Sequence, residues 1–211
     1  MSHPGSWLRD AEVLVNDASI WINLAATGHI ELVLRSSAVR HQITATALVE
    51  LESGREKGRR TAGVVADLIA KGLVDQVPLS PTDEEVFMGL IIGAPGDTLD
   101  DGEAATIATA LGACAIAMID ERKATSLCQR RYPSLIVKST TDLLLSSEVR
   151  AAMAQERLAD CLFGALADAR MRVPEHHLAQ VCAVLDLERR QRCPSLPEKW
   201  RSASADIAAA R

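Results

Sequence analysis

Residues 13–24 read Val13-Leu14-Val15-Asn16-Asp17-Ala18-Ser19-Ile20-Trp21-Ile22-Asn23-Leu24. A continuous apolar run stops at Asn16-Asp17, and a helical period takes over near Ser19. A short apolar run bounded by polar residues reads as a strand buried on both faces. The same texture recurs along the chain. Strands are expected over 12–16, 41–43, 74–79, 115–119 and 134–137. Helical periods fill 19–26, 30–36, 46–53, 59–71, 82–92, 102–111 and 122–130. Buried strands alternating with helices specify an α/β domain whose parallel sheet is covered on both faces. Gly28, Gly72 and Gly112 stand where C-caps belong, and Pro81 stands where a helix opens.

From about residue 148 the texture changes to two helical stretches, 148–170 and 174–190, with no strand between them. The expected division is an α/β domain over 1–147 and a helical C-terminal extension over 148–211. The Ala/Leu faces of that extension are free to fold back on the domain, pair with a second subunit or hold a partner. Adjacent histidines cannot share one face of a helix, so no two-His metal site is expected at His176-His177.

Composition narrows the class. The 211 residues are 48% apolar and 24% charged, as in an ordinary globular chain, and only 3% aromatic. A net charge of −5 argues against a surface coated with positive charge for non-specific nucleic-acid binding, though not against a local basic groove. Five scattered cysteines without a C-x-x-C form neither a zinc pattern nor a disulfide framework. No apolar run reaches the roughly 18 residues a membrane helix needs, and the opening segment lacks a leader pattern. A soluble cytoplasmic protein is expected, with no membrane partner.

In an open α/β sheet, ligands bind beyond the carboxyl ends of the strands, where strand order reverses. Asp17 ends the first strand and Asp120-Glu121 end the fourth. Glu50 lies on the helix after the second strand, and Glu103 lies in the first turn of the helix before the fourth. Carboxylates gathered at one edge repel one another unless a hard cation such as Mg²⁺ or Mn²⁺ neutralises them. Each acid also has a plainer reading. Asp17 and Asp120 stand at helix starts, Glu50 suits a solvated helix face, and Asp100-x-x-Glu103 is a capping box. The run Arg55-Glu56-Lys57-Gly58-Arg59-Arg60 reads as a solvated connection as readily as a phosphate guide.

The segments VLVNDASIWINL, ITATALVELES, LDDGEAATIATALG and AIAMIDERKA resemble, in order and spacing, the motifs of PIN-domain ribonucleases. The match rests on Asp17 with Ser19 two residues on, Glu50, Gly102-Glu103 and Asp120 with Glu121 beside it, over roughly residues 12–145. The fourth motif reads Ile-Asp-Glu where the better-known toxins carry Thr-x-Asp, so the chain resembles a less characterised PIN-like branch. The resemblance implies a three-layer α/β/α domain with a five-stranded parallel sheet. It also implies a Mg²⁺- or Mn²⁺-dependent endoribonuclease, often the toxin of a toxin–antitoxin pair. Asp17, Glu50, Glu103 and Asp120 would be catalytic and hold the metal, with Glu121 and Asp101 as alternates, and whether Asp120 or Glu121 faces the metal stays open. Ser19, Arg122 and Lys123 would contact substrate. RNA, an antitoxin protein and a second copy in a homodimer are the expected partners. The rival reading is a catalytically inactive PIN-like module that binds a partner through its helical extension.

Overall fold

The computed structural model describes residues 6–55, 58, 60–94 and 96–202. Its strands are β1 (Val13–Asn16), β2 (Arg40–Thr44), β3 (Val74–Val77), β4 (Ile116–Met118) and β5 (Val137–Lys138). They form one all-parallel sheet in the order β3-β2-β1-β4-β5. Strand β1 is central, and the chain leaves it first toward β2 and β3, later toward β4 and β5. That reversal opens a crevice beyond the carboxyl ends of β1 and β4. Leu14 lies opposite His41 on one side and Ile116 on the other, which fixes the register of the three inner strands.

Alternation along β1 divides the core in two, because successive side chains leave a strand on opposite faces. Val13 and Val15 pack with Ala117 and Ile119 under α5 (Glu84–Ile91), α6 (Asp101–Gly112) and α7 (Arg122–Arg131). Leu14 packs with Ile43, Ile116 and Met118 on the other face. That face is covered by α1 (Ala18–Ala26), α2 (Ile30–Ser37), α3 (Ala45–Arg55) and α4 (Thr61–Ala70). The result is the expected α/β/α arrangement.

Asn16 explains the polar break at the end of the apolar run. Its Nδ2 donates to the carbonyls of Leu14 and Gln42 at 3.1 Å and lies 3.4 Å from His41 Nδ1, tying β1 to β2. With Nδ1 accepting, His41 Nε2–H is left to donate to Ser37 Oγ at 2.8 Å. Burial pushes the His41 pKa down to about 4, so the ring is neutral near pH 7. Trp21 is fully buried and donates its Nε1–H to the Asn16 carbonyl at 3.2 Å.

The remaining helices are α8 (Thr140–Leu144), α9 (Ser147–Ala152), α10 (Gln155–Ala167), α11 (Leu178–Val184), α12 (Leu187–Gln191) and α13 (Glu198–Ser202). They fold back on the α1 side of the sheet, where Leu158, Leu162, Leu166 and Val181 share one apolar cluster with Leu14 and Trp21. At Gly164, α10 approaches so closely that a Cβ would overlap the Ala26 carbonyl at the end of α1.

Here the expected long helices are interrupted. Met153 turns extended (φ −138°, ψ 147°) and buries its side chain between α9 and α10. Leu185 does the same between α11 and α12, after which Asp186 caps α12 by accepting from Arg189 N at 2.8 Å. Both side chains join the apolar cluster that holds Leu14 and Trp21, and no Gly or Pro announces either break. Helix α8, opened by a Ser139–Asp142 capping box, is too short to show a period. Gly28 (φ 70°) and Gly72 (φ 67°) act as left-handed caps. Gly112 has a different role: it ends α6, and a Cβ there would overlap the Asp83 carboxylate. Pro81 sits in the turn before α5, and Asp83 occupies the N-cap. Glu56, Lys57 and Arg59 of the basic run lie outside the described residues. Among the described residues, no helix is long and apolar enough to cross a membrane.

Candidate active site

The β1–β4 crevice holds an open cleft of about 540 Å³ whose walls carry Asp17, Glu50, Asp100, Glu103 and Glu121. Ser19 and Lys123 stand at the same walls. Five carboxylates from four separate stretches of sequence thus meet one lysine.

Asp17 extends the β1–β4 pairing by donating its N–H to the Met118 carbonyl at 3.1 Å, and then caps α1. Its Oδ2 accepts from Ser19 N at 3.1 Å and Ser19 Oγ at 2.7 Å. Its Oδ1 is buried and has no hydrogen-bond partner among the described residues. Capping therefore engages one oxygen and leaves the other unpartnered. Burial raises the Asp17 pKa, against the hydrogen bonds from Ser19 and a lesser pull from the Ala18 backbone N–H.

Glu50 reaches across from α3 to the start of α6, where its Oε1 accepts from Gly102 N at 2.8 Å. A Cβ on residue 102 would occupy the space of that carboxylate. The glycine of the Gly102-Glu103 pair is thus the seat of Glu50, a close-approach role rather than one of backbone freedom. Burial, then the charges of Asp100 and Asp17, push the Glu50 pKa up to about 7.

Asp100 caps α6 by accepting from Glu103 N at 2.9 Å. Glu103 is 7% exposed, and burial followed by the charges of Asp100, Asp17 and Glu121 pushes its pKa up to about 8. Asp101 is exposed in the first turn of α6 and is not among the cleft-lining residues.

At the end of β4 the two adjacent acids part company. Asp120 is 6% exposed and turns inward: its Oδ1 accepts from Thr140 N at 2.9 Å, and its Oδ2 from Asn23 Nδ2 at 2.6 Å and from Thr140 Oγ1. Burial raises its pKa to about 6 in spite of these donors. Glu121 is exposed, caps α7 and lines the cleft. Lys123 lines the cleft with it, whereas Arg122 points to a separate pocket beyond β4. Asn23 and Thr140 were not singled out in the sequence, and Asp100 was read there only as a helix cap. Asp100 carried a signal, an N-cap acid two residues before Gly102-Glu103, but the contacts of Asn23 and Thr140 with Asp120 span 97 and 20 residues and leave none.

An all-oxygen donor set with one buried unpartnered carboxylate oxygen and raised pKa values suits a hard divalent cation. The carboxylates are not drawn tightly together. Among the described residues, the only group of three or more His, Cys, Asp or Glu ligand atoms lying within 4.8 Å of one another is Asp142, His176 and His177.

A family model described as DUF3368, a PIN domain, matches residues 13–186. The chain belongs to the PIN-domain family. The match begins at β1 and continues through α11, well into the helical extension. PIN domains are generally nucleases and typically depend on divalent metal ions. No curated protein and no solved structure matches the chain significantly.

Proposed function

We propose that the protein is a Mg²⁺- or Mn²⁺-dependent endoribonuclease acting at the β1–β4 cleft. The observation that carries this reading is the buried, unpartnered Oδ1 of Asp17 on the wall of a cleft with four further carboxylates. Asp17, Glu103 and Glu121 are the acids best placed to hold the ion. Glu50, seated on Gly102 N, and Asp100 complete the negative field. The spacing of the acids favours an ion that keeps part of its water shell, as Mg²⁺ does. Bound there, the ion supplies activation of water and neutralisation of charge developing on the scissile phosphate.

The chain's own residues do the rest. Ser19 fixes the Asp17 carboxylate by two hydrogen bonds and so orients Oδ1. Glu103, its pKa raised to about 8, keeps a proton near pH 7 while the cleft is metal-free and would release it on loading. Lys123 brings positive charge to the cleft wall, where a phosphate oxygen would approach. In this reading Asp120 is a positioning residue, since both its oxygens are occupied from within the fold. It holds the β4 end, and hence Glu121, against α8 and α1.

The toxin role, with an antitoxin partner and a homodimer, rests on the family resemblance. Incubation of the protein with single-stranded RNA and Mn²⁺ tests the activity. Cleavage that needs the metal and falls at least ~100-fold in Asp17→Asn supports the reading. Metal binding without cleavage would favour the inactive binding module instead. Growth arrest on expression, relieved by the same substitution, tests the toxin role.

A further inference from the structure

On the opposite side of the β4 end from the acidic cleft lies a second pocket, of about 430 Å³. The first residues of α7 feed the two sites alternately: Glu121 and Lys123 line the cleft, and Arg122 lines this pocket. Three further residues matter here: Lys138 from β5, and Arg172 and His176 from the extension. Arg172 is exposed and donates from Nη1 to the Asp120 carbonyl at 3.0 Å. That contact fixes the guanidinium at the end of β4 without neutralising it, and Arg172 forms no ion pair among the described residues. The Arg122 side chain has neither a hydrogen bond nor an ion pair among the described residues.

Two acids share the pocket, Asp142 and Glu175. Asp142 is already engaged: Ser139 donates to its Oδ2 from N and Oγ, and His177 Nε2 lies 3.0 Å from its Oδ1, with Lys138 Nζ at 3.9 Å. The rings of His176 and His177 stand 4.1 Å apart on the 3-10 turn Glu175–His177, so the two histidines do come together there, contrary to expectation for an α-helix. Their nitrogens and Asp142 are close enough to invite a transition metal. The surroundings disfavour that ion, because Arg122, Lys138 and Arg172 line the same wall and repel a cation. The same three side chains favour an anion.

We propose that this pocket binds a backbone phosphate of the RNA strand flanking the scissile one, with Arg122 and Arg172 as its principal donors. The C-terminal extension is then a wall of the substrate groove. This rests on the nuclease reading for its ligand, but it is tested by binding rather than by cleavage. A labelled oligoribonucleotide is titrated by fluorescence anisotropy into the full chain in the Asp17→Asn background, so that no cleavage intervenes.

Arg122→Ala and Arg172→Ala are each expected to weaken binding about three- to tenfold, each with a shallower slope of log K against log salt, and the double variant to reduce that slope by about 0.7, the value for one phosphate of a single strand. Arg172→Lys should recover part of the loss. Affinity and slope unchanged in both alanine variants would overturn the proposal. So would stoichiometric Zn²⁺ binding by the unsubstituted chain that disappears in His176→Ala, because the site would then be cationic. If the unsubstituted chain fails to cut RNA while the arginine variants still lose affinity, the nuclease reading fails and the phosphate site stands.

Discussion

Asp17 and Asp120 hold equivalent places, each the first acid past the end of an inner strand, yet their environments differ. Asp17 has one oxygen tied to Ser19 and one buried without a partner. Asp120 has both oxygens filled by Asn23 and Thr140. A carboxylate at a strand end is therefore only a candidate, and the state of its lone pairs separates a ligand from a brace. Burial raises the pKa of both, so the shift alone does not tell them apart.

Stability should break the pair most visibly. Asp120→Ala strands the donors of Thr140 and Asn23 in a buried setting and should cost about 3 kcal/mol in urea unfolding. Asp17→Asn keeps an N-cap-competent side chain and should stay within about 1 kcal/mol of the unsubstituted protein. Equal losses in the two would erase the distinction. A gentler probe is Gly102→Ala, whose Cβ takes the place of the Glu50 carboxylate. It should reduce kcat/KM roughly tenfold, the scale of a displaced supporting group, with a smaller effect on unfolding. Unchanged kinetics would show that Glu50 is dispensable.

The pH dependence separates the cleft from the interior. Glu50 and Glu103 have folded pKa values of about 7 and about 8, above the ordinary 4.5. Their protonated forms therefore favour the metal-free fold, a contribution complete below pH 4.5 and lost as pH rises through 7 to 8. His41 acts in the opposite sense: its pKa falls from 6.5 to about 4, so its contribution is present above pH 6.5 and is lost as pH falls toward 4. Between pH 6.5 and 8 the cleft acids act alone of these three. The Tm of the metal-free protein should fall across that window, and Glu103→Gln or added Mg²⁺ should flatten the fall. A flat profile before either change would contradict the raised values. The smallest effect is reserved for Asp101→Asn, which should leave activity and stability unchanged within error, because its carboxylate is exposed and outside the cleft wall.

The sheet was legible because short strand segments alternate with helical periods; β1 (VLVN) and β4 (IAM) are plain apolar runs, whereas β2 (RHQIT) and β3 (VDQV) are mixed, and β5 shares only Val137 with the segment expected for it. Asp17 was legible because it sits one step beyond β1, Glu103 because it lies in the first turn of α6, and Glu50 because it rides on the helix that follows β2. What the sequence could not resolve is orientation. Nothing local decides that Asp120 turns inward to Thr140 while Glu121 faces the cleft, or that Asp100 rather than Asp101 joins the wall. The breaks at Met153 and Leu185 were hidden because they arise from burial against α1 and its neighbours, not from breakers in the chain. Arg172 was invisible because its contact to the Asp120 carbonyl joins residues 52 apart.

The central claim, that the unpartnered oxygen of Asp17 marks a divalent-cation site, is tested most directly by Mn²⁺ titration of the purified protein. Electron paramagnetic resonance or calorimetry would read free against bound ion in the unsubstituted chain, Asp17→Asn and Asp120→Asn. Saturable binding that weakens at least tenfold in Asp17→Asn and less than threefold in Asp120→Asn is the predicted result. Equal affinity in the unsubstituted chain and in Asp17→Asn would contradict it.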